Sequence, residues 1–262
     1  MTSKPPWTIS VATYNVLADA YIKPKYYPLC ATEDFKPERR HPLLDARVAA
    51  LGTDVICLQE VDYEAFKRFD DRLRPLGYQG RWAHRAGGKP DGCATFVRAP
   101  WKLRTSLIFD FDDEPRRPSN RVAIASVIEC DGHRRALVNA HLQWDPPDAP
   151  PHEQAGLGQA LQLLSYVRGQ GRAVVCGDFN AVPDSAILEA FRTEGFTDAH
   201  GDAPPTSNTA GPPRKIDFLL HSYGLVAIPS PPPHVAAGTP LPSATEPSDH
   251  VPLIATFATK PG

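Results

Sequence analysis

The sequence predicts a layered α/β sandwich, and three observations lead to that fold class. Short apolar segments typical of β-strands recur along the whole chain, and helical segments are inserted among them. Proline accounts for 29 of the 262 residues, roughly twice its usual frequency of about 5%. Because proline interrupts helices and central strands, a mostly helical protein is excluded and long loops are expected. The length fits one large domain, so we expect residues 1–262 to form a single domain.

The composition excludes several classes of protein. A net charge of −2 rules out a strongly basic arm that binds nucleic acid through charge alone. Hydrophobic residues make up 42% of the chain, too many for a disordered protein, and no apolar run is long enough to span a membrane. The five cysteines lie far apart and form no Cys-x-x-Cys pair, which is typical of free thiols in a reducing compartment. We therefore expect a cytoplasmic monomer without a membrane partner.

The first half of the chain alternates between predicted strands and helices. Its strands follow from β-branched and alternating apolar residues, and its helices from apolar residues three or four positions apart. Pro42 fits the first turn of the first helix, where its missing N–H costs nothing. The last two strands look like neighbours in one sheet. The predicted elements are a strand at Ile9–Val16, a helix at Pro42–Leu51, a strand at Val55–Leu58, a helix at Tyr63–Leu76, and strands at Cys93–Val97 and Trp101–Phe109.

The second half of the chain opens with a predicted hairpin. Asp131-Gly132 is a typical turn pair between two apolar strands. Asp184 is a typical N-cap residue for the helix that follows it. Most of the remaining prolines fall between elements, where we expect them to form stiff loops. The predicted elements are strands at Val122–Glu129 and Arg135–Leu142, a helix at Glu153–Val167, a strand at Ala173–Cys176, a helix from Asp184 to Arg192, and strands at Ile216–Leu220 and Leu253–Phe257.

Polar side chains recur where the apolar strands begin or end, the positions at which a rigid scaffold presents functional groups. Taken singly, each side chain also fits a turn, a solvated strand end or a structural histidine. Asp217 is different, because it stands between apolar residues and a buried carboxylate needs a partner. Together the residues favour one functional site. They are Asn15, Glu60, Asp91, His141, Asp178, Asn180, Asp217, Asp249 and His250.

The types of these residues narrow the chemistry. Amide and carboxylate oxygens without a cysteine and histidine cluster suit a hard cation, so we expect Mg²⁺, with Mn²⁺ able to replace it, and disfavour zinc. Carboxylates, amides and two histidines match the needs of phosphoester hydrolysis. The sequence has no Walker loop and no Gly-x-Ser-x-Gly elbow, and Cys93 has no adjacent histidine that would make it a nucleophile.

Eight segments carry these residues in an order that resembles the endonuclease/exonuclease/phosphatase superfamily, the DNase I-like proteins. Within it, the first, third and fifth segments resemble the branch of the mRNA deadenylase catalytic subunit, nocturnin and angel-type proteins. The segments are TYNVLAD (13–19), DVICLQEVD (54–62), PDGCATF (90–96), SNRVAIA (119–125), NAHLQWDP (139–146), VVCGDFNAVPDS (174–185), KIDFLL (215–220) and PSDHVPL (247–253).

The resemblance implies a four-layer α/β sandwich with two central mixed β-sheets flanked by helices. It also implies a role for each matching residue. Asn15, Glu60 and Asp249 would form the metal site. Asp178 would orient and deprotonate the attacking water, and Asn180 would hold a phosphate oxygen. His250, oriented by Asp217, and His141 would contact the phosphate.

The resemblance suggests further residues at the substrate. Asn120 matches an asparagine near the substrate, and Pro90, beside Asp91, offers a surface for a base. Trp144 offers either a stacking surface or a packing contact. Arg40 fits a salt bridge as well as a substrate contact. Arg116, Arg117 and Arg121 fit a phosphate-binding group as well as a solvated basic loop.

One departure affects the substrate. The resembled deadenylases place an aromatic residue shortly before the Ile-Asp strand, whereas residues 208–215 contain none. Base stacking supplies much of the affinity for single strands, so poly(A) specificity does not follow. The loop Pro204–Pro213 is therefore expected to decide the substrate.

The main hypothesis is a Mg²⁺-dependent phosphodiesterase that hydrolyses RNA or a nucleotide, possibly single-stranded nucleic acid, in the manner of a 3′–5′ exoribonuclease. The alternative is a phosphatase for a small molecule such as a dinucleotide 2′-phosphate, an inositol phosphate or a lipid head group, which the near-neutral charge favours. A DNA endonuclease or exonuclease and a non-catalytic binding module are further alternatives. The full set of catalytic residue types argues against the binding module.

Overall fold

Two six-stranded β-sheets face each other at the centre of the protein, and helices cover the outer face of each. The computed structural model describes residues 8–111, 119–146 and 148–260. Over these residues the strands are β1 (Ile9–Asn15), β2 (Val55–Gln59), β3 (Tyr78–His84), β4 (Gly92–Arg98), β5 (Lys102–Asp110), β6 (Val122–Cys130), β7 (His133–His141), β8 (Ala173–Asp178), β9 (Phe196–Asp198), β10 (Asp217–Ser222), β11 (Leu225–Ser230) and β12 (Leu253–Thr259). The α-helices are α1 (Pro37–Ala50), α2 (Tyr63–Leu73), α3 (Ala155–Val167) and α4 (Ala186–Thr193).

Both sheets are mixed. The first sheet has the strand order β11-β12-β1-β2-β4-β3, and only β1 and β2 run parallel in it. The second has the order β5-β6-β7-β8-β10-β9, and only β7 and β8 run parallel. We call them sheet A and sheet B. The predicted four-layer sandwich with two mixed sheets is therefore confirmed.

Three apolar clusters hold the four layers together. Leu44 and Val48 of α1 and Phe69 of α2 pack on the outer face of sheet A. Leu163 of α3 and Phe191 of α4 do the same on sheet B. The third cluster fills the space between the sheets and includes Val11, Cys57, Val174 and Cys176. All five cysteines are free, as the sequence predicted.

A polar contact joins the two sheets inside this apolar interior. Asn139 on β7 is fully buried, and its Nδ2 atom donates to the carbonyl oxygens of Leu58 (3.1 Å) and Ala94 (2.9 Å) on sheet A. Its Oδ1 atom accepts a hydrogen bond of 2.7 Å from Gln59 Nε2. Because buried polar groups are costly unless they are paired, these bonds fix how one sheet lies on the other.

The structure corrects the predicted connection between β4 and β5. They were expected to be neighbours, but β4 pairs with β2 and β3 in sheet A, whereas β5 pairs with β6 in sheet B. Residues 99–101 carry the chain from one sheet to the other. Their short separation in sequence suggested that they were neighbours, but β4 is an inner strand of sheet A and β5 is an edge strand of sheet B.

Two helix boundaries also differ from the prediction. Helix α1 begins at Pro37, so Pro42 lies inside the helix rather than in its first turn. The N-cap of α4 is Ser185, whose hydroxyl accepts from the backbone N–H of Leu188, and not Asp184. Strands β3, β9 and β11 were not predicted. No helix of the described residues is long and apolar enough to cross a membrane.

Candidate active site

The predicted site residues line one edge of the sandwich in two facing rows. In sheet A, Asn15 ends β1, Glu60 follows β2, and Asp249 and His250 precede β12. In sheet B, the row along the same edge consists of His141 at the end of β7, Asp178 at the end of β8 and Asp217 at the start of β10. Strands that run in opposite directions contribute their opposite ends, so residues distant in sequence meet here.

Asn15 and Glu60 are fixed to each other and to the opposite row. Asn15 Nδ2 lies 3.2 Å from Glu60 Oε1 and 2.9 Å from Asp178 Oδ2, so one amide bridges the two sheets. The other Glu60 oxygen, Oε2, accepts a bond of 3.0 Å from the backbone N–H of Ala18. Glu60 has a left-handed backbone with φ of +56°, a strained conformation for a residue with a side chain that often marks functional sites.

Asp178 stands at the centre of sheet B's row. Gly177 before it has a φ of +141°, and a Cβ atom there would lie 1.8 Å from the carbonyl oxygen of Ala140, so only glycine fits. Asp178 Oδ1 accepts from the backbone N–H of Asn180 at 2.9 Å. His141 Nε2 lies 3.5 Å from Asp178 Oδ2 and 3.1 Å from Asn180 Nδ2. The carboxylate is thus held rigidly but keeps access to two histidines.

Asp217 and His250 form the pair that the resemblance implied. Asp217 Oδ2 lies 2.8 Å from His250 Nδ1 and accepts a second bond of 2.6 Å from the Thr206 hydroxyl. The other ring nitrogen, His250 Nε2, points to Asp178, 3.8 Å from its Oδ2, and lies 3.9 Å from Asp249 Oδ1. Asp217 therefore fixes the ring so that Nε2 faces the site.

The pKa values of the two histidines are shifted in opposite directions. Burial alone would lower the pKa of His250, but the carboxylates of Asp217, Asp249 and Asp178 raise it well above its usual value. Burial lowers the pKa of His141 well below its usual value, and the positive charge of Arg121 adds to that effect. The site accordingly holds one imidazolium and one neutral imidazole near neutral pH.

The carboxylates of the site have raised pKa values. Burial and the negative charge of Asp249 raise the pKa of Glu60 to about 7. Burial and Asp217 raise the pKa of Asp178 to about 6, against the opposing charge of His250. Such a cluster of carboxylates disfavours its own ionisation, and a cation relieves it.

The donor set fits a hard cation held by Glu60 and its neighbours. Asp178, Asp217 and His250 also offer ligand atoms within 4.8 Å of one another. However, Asp217 Oδ2 already accepts hydrogen bonds from His250 and Thr206. These three residues therefore form a hydrogen-bonded group in which Asp217 orients His250, and we do not assign them as metal ligands. Glu60 and Asp249 offer carboxylate oxygens suited to Mg²⁺, whereas Asn15 turns its Nδ2 toward Glu60 and its Oδ1 accepts from the backbone N–H of Leu17 at 3.0 Å.

Asp91 borders the site through a different network. It is fully buried, and its Oδ1 atom accepts a bond of 2.5 Å from the Tyr21 hydroxyl. The Arg85 guanidinium lies 3.3 Å from the same oxygen and donates to the carbonyl oxygen of Asn120 at 3.0 Å. Asp91 therefore positions neighbouring segments, and Asn120 is placed at the rim by its backbone.

Pro90 and Trp144 are exposed at the rim and belong to no polar contact of the site described above. Arg40 is buried, and donates to the carbonyl oxygens of Val16 and Pro247 at 3.1 and 2.9 Å. It thereby ties the segment after β1 to the segment before β12, which is a structural role. Arg116 and Arg117 lie outside the described residues.

Sequence reasoning missed Thr206 and Arg85. Thr206 lies in the loop that lacks the expected aromatic, and that loop pairs directly with the site through a β-bridge between Ser207 and His250. A single threonine among prolines carries no sequence signal of this contact. Arg85 directly follows β3, and because that strand was not predicted from the sequence, nothing marked Arg85 as a residue at a strand end.

Comparisons with known proteins find relatives over nearly the whole chain. Residues 12–250 match the Endonuclease/Exonuclease/phosphatase family. The chain is 26% identical, over 97% of its length, to the CCR4-Not complex 3′-5′-exoribonuclease subunit Ccr4 of Candida albicans, of which it spans 41%. It is 28% identical, over 98% of its length, to nocturnin of Xenopus laevis, of which it spans 74%.

Two solved structures are similar over nearly the whole chain. The crystal structure of ANGEL2, a 2′,3′-cyclic phosphatase, in complex with adenosine-2′,3′-vanadate has a TM-score of 0.82 at 20% identity and covers 97% of this chain and 96% of that chain. The human nocturnin catalytic domain with a bound sulfate has a TM-score of 0.73 at 26% identity, with 97% and 94% covered.

Proposed function

The chain belongs to the endonuclease/exonuclease/phosphatase family, enzymes that hydrolyse phosphoester bonds, and on that premise we propose that it is a Mg²⁺-dependent phosphodiesterase for RNA or nucleotides, with 3′–5′ exoribonuclease action. One observation carries the proposal. Asp178 lies within 4 Å of a ring nitrogen of His141 and of His250, beside the Asn15–Glu60 pair. This arrangement supplies a base, an imidazolium and a cation site in one cleft.

Asp178 and His250 have different roles in the proposed hydrolysis. Asp178, held by Asn15 and the backbone of Asn180, accepts the proton of the water that attacks phosphorus. The new P–O bond forms as the bond to the leaving ribose oxygen breaks. That oxygen takes up a proton from solvent water, and Asp178 later returns the proton it accepted to solvent. His250, charged and aimed by Asp217, binds a non-bridging phosphate oxygen and stabilises the charge that develops on it.

Asn180 and His141 hold the phosphate from the side of sheet B. In the free protein the Asn180 amide donates to the carbonyl oxygen of Leu142 at 3.0 Å and contacts His141 Nε2, so its position is set before substrate arrives. A bound Mg²⁺ would lie on Glu60, with Asn15 and Asp249, and would neutralise phosphate charge there. His141 Nε2 lies 3.1 Å from the Asn180 amide nitrogen and accepts from it, which would leave the neutral ring beside the phosphate without adding charge near the metal.

The relatives support an RNA substrate, since Ccr4 is by name a 3′-5′-exoribonuclease subunit. The second candidate is a phosphatase for a small nucleotide. The observation in its favour is the loop before β10, where Ser207 and Asn208 are buried and no residue from 207 to 214 is aromatic. Without an aromatic ring in this loop to stack on a base, substrate affinity would depend less on contacts with the base and more on contacts with the phosphate.

A substrate panel with Mg²⁺ or Mn²⁺ separates the two candidates. It contains 5′-labelled oligo(A), mixed-sequence RNA, single- and double-stranded DNA, and NADPH. A ladder shortened from the 3′ end of RNA supports the exoribonuclease, and free phosphate from NADPH supports the phosphatase. Glu60→Gln, purified in the same way, is the control for a contaminating nuclease. No hydrolysis of any substrate by the wild-type protein would overturn the proposal.

A further inference from the structure

Arg121 lies at the end of the row of site residues in sheet B. It stands directly before β6, and β6 pairs with β7 so that Ala123 is opposite Ala140. Continuing that register places Val122 opposite His141, with Arg121 one residue further toward the cleft. Neighbouring strands of a sheet are about 4.8 Å apart. The backbone of Arg121 is therefore one strand spacing from the strand of His141 and two strand spacings from the strand of Asp178. No step of the proposed reaction uses it.

The guanidinium of Arg121 is poorly satisfied by the protein. Its Nε donates to Gln143 Oε1 over 3.4 Å, whereas Nη1 is buried without a hydrogen-bond partner. Among the described residues no carboxylate lies within ion-pair distance of this half-buried charge. By contrast, all three nitrogens of neighbouring Arg85 have oxygen acceptors.

An unpaired, partly desolvated charge is costly, so it is expected to have an anionic partner. Asp91, a carboxylate near Arg121 among the residues that the structure describes, is already bonded to Tyr21 and Arg85. Burial and the like charge of Arg85 lower the pKa of Arg121, which a bound anion would reverse. The anion that this cleft is built to receive is phosphate.

The segment that carries Arg121 is held in place for such contact. The Arg121 backbone N–H donates to Ser119 Oγ at 3.1 Å, and that oxygen also accepts from Gln159 Nε2 at 2.7 Å. Gln159, fully buried on α3, accepts the backbone N–H of Gln143 at 2.9 Å. Gln159 therefore holds both Ser119, which fixes the Arg121 backbone, and Gln143, which contacts the guanidinium. Because the segment is already ordered, little conformational entropy is lost when an anion binds.

We propose that Arg121 forms a second phosphate subsite beside the scissile one, so that the preferred substrate carries two neighbouring phosphate groups. The proposal rests on the proposed function and names its substrate class. The second phosphate is either the next linkage of an RNA strand or the pyrophosphate of a dinucleotide. A planar, forked guanidinium suits either one.

Matched substrates test the subsite. In the RNA arm, a short oligonucleotide carries a normal phosphodiester or an uncharged methylphosphonate next to the 3′-terminal linkage. In the dinucleotide arm, NADPH is compared with adenosine 2′-monophosphate. In the arm that the enzyme uses, Arg121→Gln should raise KM about 10- to 100-fold for the substrate that keeps the second phosphate group, which is the normal oligonucleotide or NADPH. The kcat for that substrate, and the KM for the substrate that lacks the second phosphate group, should be nearly unchanged. Arg121→Lys should recover part of the loss.

The control is Arg72→Gln, which changes the net charge equally at an exposed position near the end of α2. Equal losses of Arg121→Gln on charged and uncharged substrates, or no loss, would overturn the subsite. Thermal unfolding of each variant shows whether it is folded.

Binding measured by calorimetry separates this proposal from the proposed function. Adenosine 3′,5′-bisphosphate should bind the wild-type protein more tightly than adenosine 5′-monophosphate, and Arg121→Gln should remove that difference. If the wild-type protein hydrolyses nothing but shows this preference, the hydrolysis proposal fails and the subsite stands. If the two nucleotides bind alike and Arg121→Gln also leaves the KM for NADPH unchanged, the subsite is refuted.

Discussion

The carboxylate of Asp217 holds the ring of His250 through a contact of 2.8 Å between Oδ2 and Nδ1. The two residues are 33 positions apart, one at the start of β10 in sheet B and the other before β12 in sheet A. The bond therefore joins the sheets at the site, just as Asn139 joins them in the interior. It also determines which nitrogen of the ring faces the phosphate.

Asp217→Asn should lower kcat by about 10³-fold or more, because the ring loses the negative charge that keeps it protonated and the carboxylate that fixes its tautomer. Steady-state hydrolysis of the best substrate in the panel measures the effect. Asp202→Asn, on an exposed loop, is the matched control. Wild-type kcat in a folded Asp217→Asn protein would show that the pair does not take part in the reaction.

Glu60→Gln should abolish both hydrolysis and stabilisation by Mg²⁺. At a metal concentration of about 100 times Kd, binding adds about 2.7 kcal/mol, which for a protein of this size raises Tm by about 5–10 °C. Differential scanning calorimetry with and without Mg²⁺ measures it. Glu64→Gln, on the exposed start of α2, should keep the full shift. An unchanged shift in Glu60→Gln would remove Glu60 from the metal site.

Asn139→Leu should lower the free energy of unfolding by about 3–4 kcal/mol. The substitution leaves the buried carbonyl oxygens of Leu58 and Ala94 and the amide of Gln59 without their partner. Urea unfolding measures the loss. Ser126→Ala, at another buried polar position in sheet B, should cost about 1 kcal/mol or less, because its hydroxyl has only a contact of 3.5 Å with Ser106. Similar costs for the two variants would contradict the proposed role of Asn139.

His200 should make the protein less stable in acid. Burial lowers its pKa from the usual 6.5, against the attraction of Asp198. A base with a lower pKa in the folded state binds more protons when unfolded, so stability falls as the pH drops below 6.5. Between pH 7.5 and 5.5 the wild-type protein should therefore lose more of its free energy of unfolding than His200→Gln does. His152→Gln, on the surface, is the control, and parallel losses in all three proteins would refute the prediction.

Most of the fold could be predicted because its inner strands are apolar and continuous. The strands around Val11, Ile56 and Val175 have few polar residues, since both of their faces are covered. Strand β3 escaped prediction because it is an edge strand in which exposed residues such as Gln79 and Arg81 interrupt the pattern. Strand β11 contains Pro229, a residue tolerated at an edge but read as a loop signal.

The candidate site was predictable where a polar residue ends an apolar strand, as at Asn15, Glu60 and Asp178. The assignment of β5 to a sheet was not, because strand propensity carries no information about which layer a strand joins. The contact of Thr206 with Asp217 was not predictable either, since it depends on how a proline-rich loop folds back between two strands. The role of Arg121 was left open because only the structure shows that no carboxylate of the described residues forms an ion pair with it.

Strand β12 lies inside sheet A, between β11 and β1, although it comes last in sequence among the strands described. Asp249 and His250 stand just before it. During synthesis, sheet A must therefore wait for the final strand before its first strand has both neighbours and before the cleft has its charged histidine. A nascent chain that stops before Asp249 lacks both Asp249 and His250, so it cannot assemble the cleft whatever else has folded.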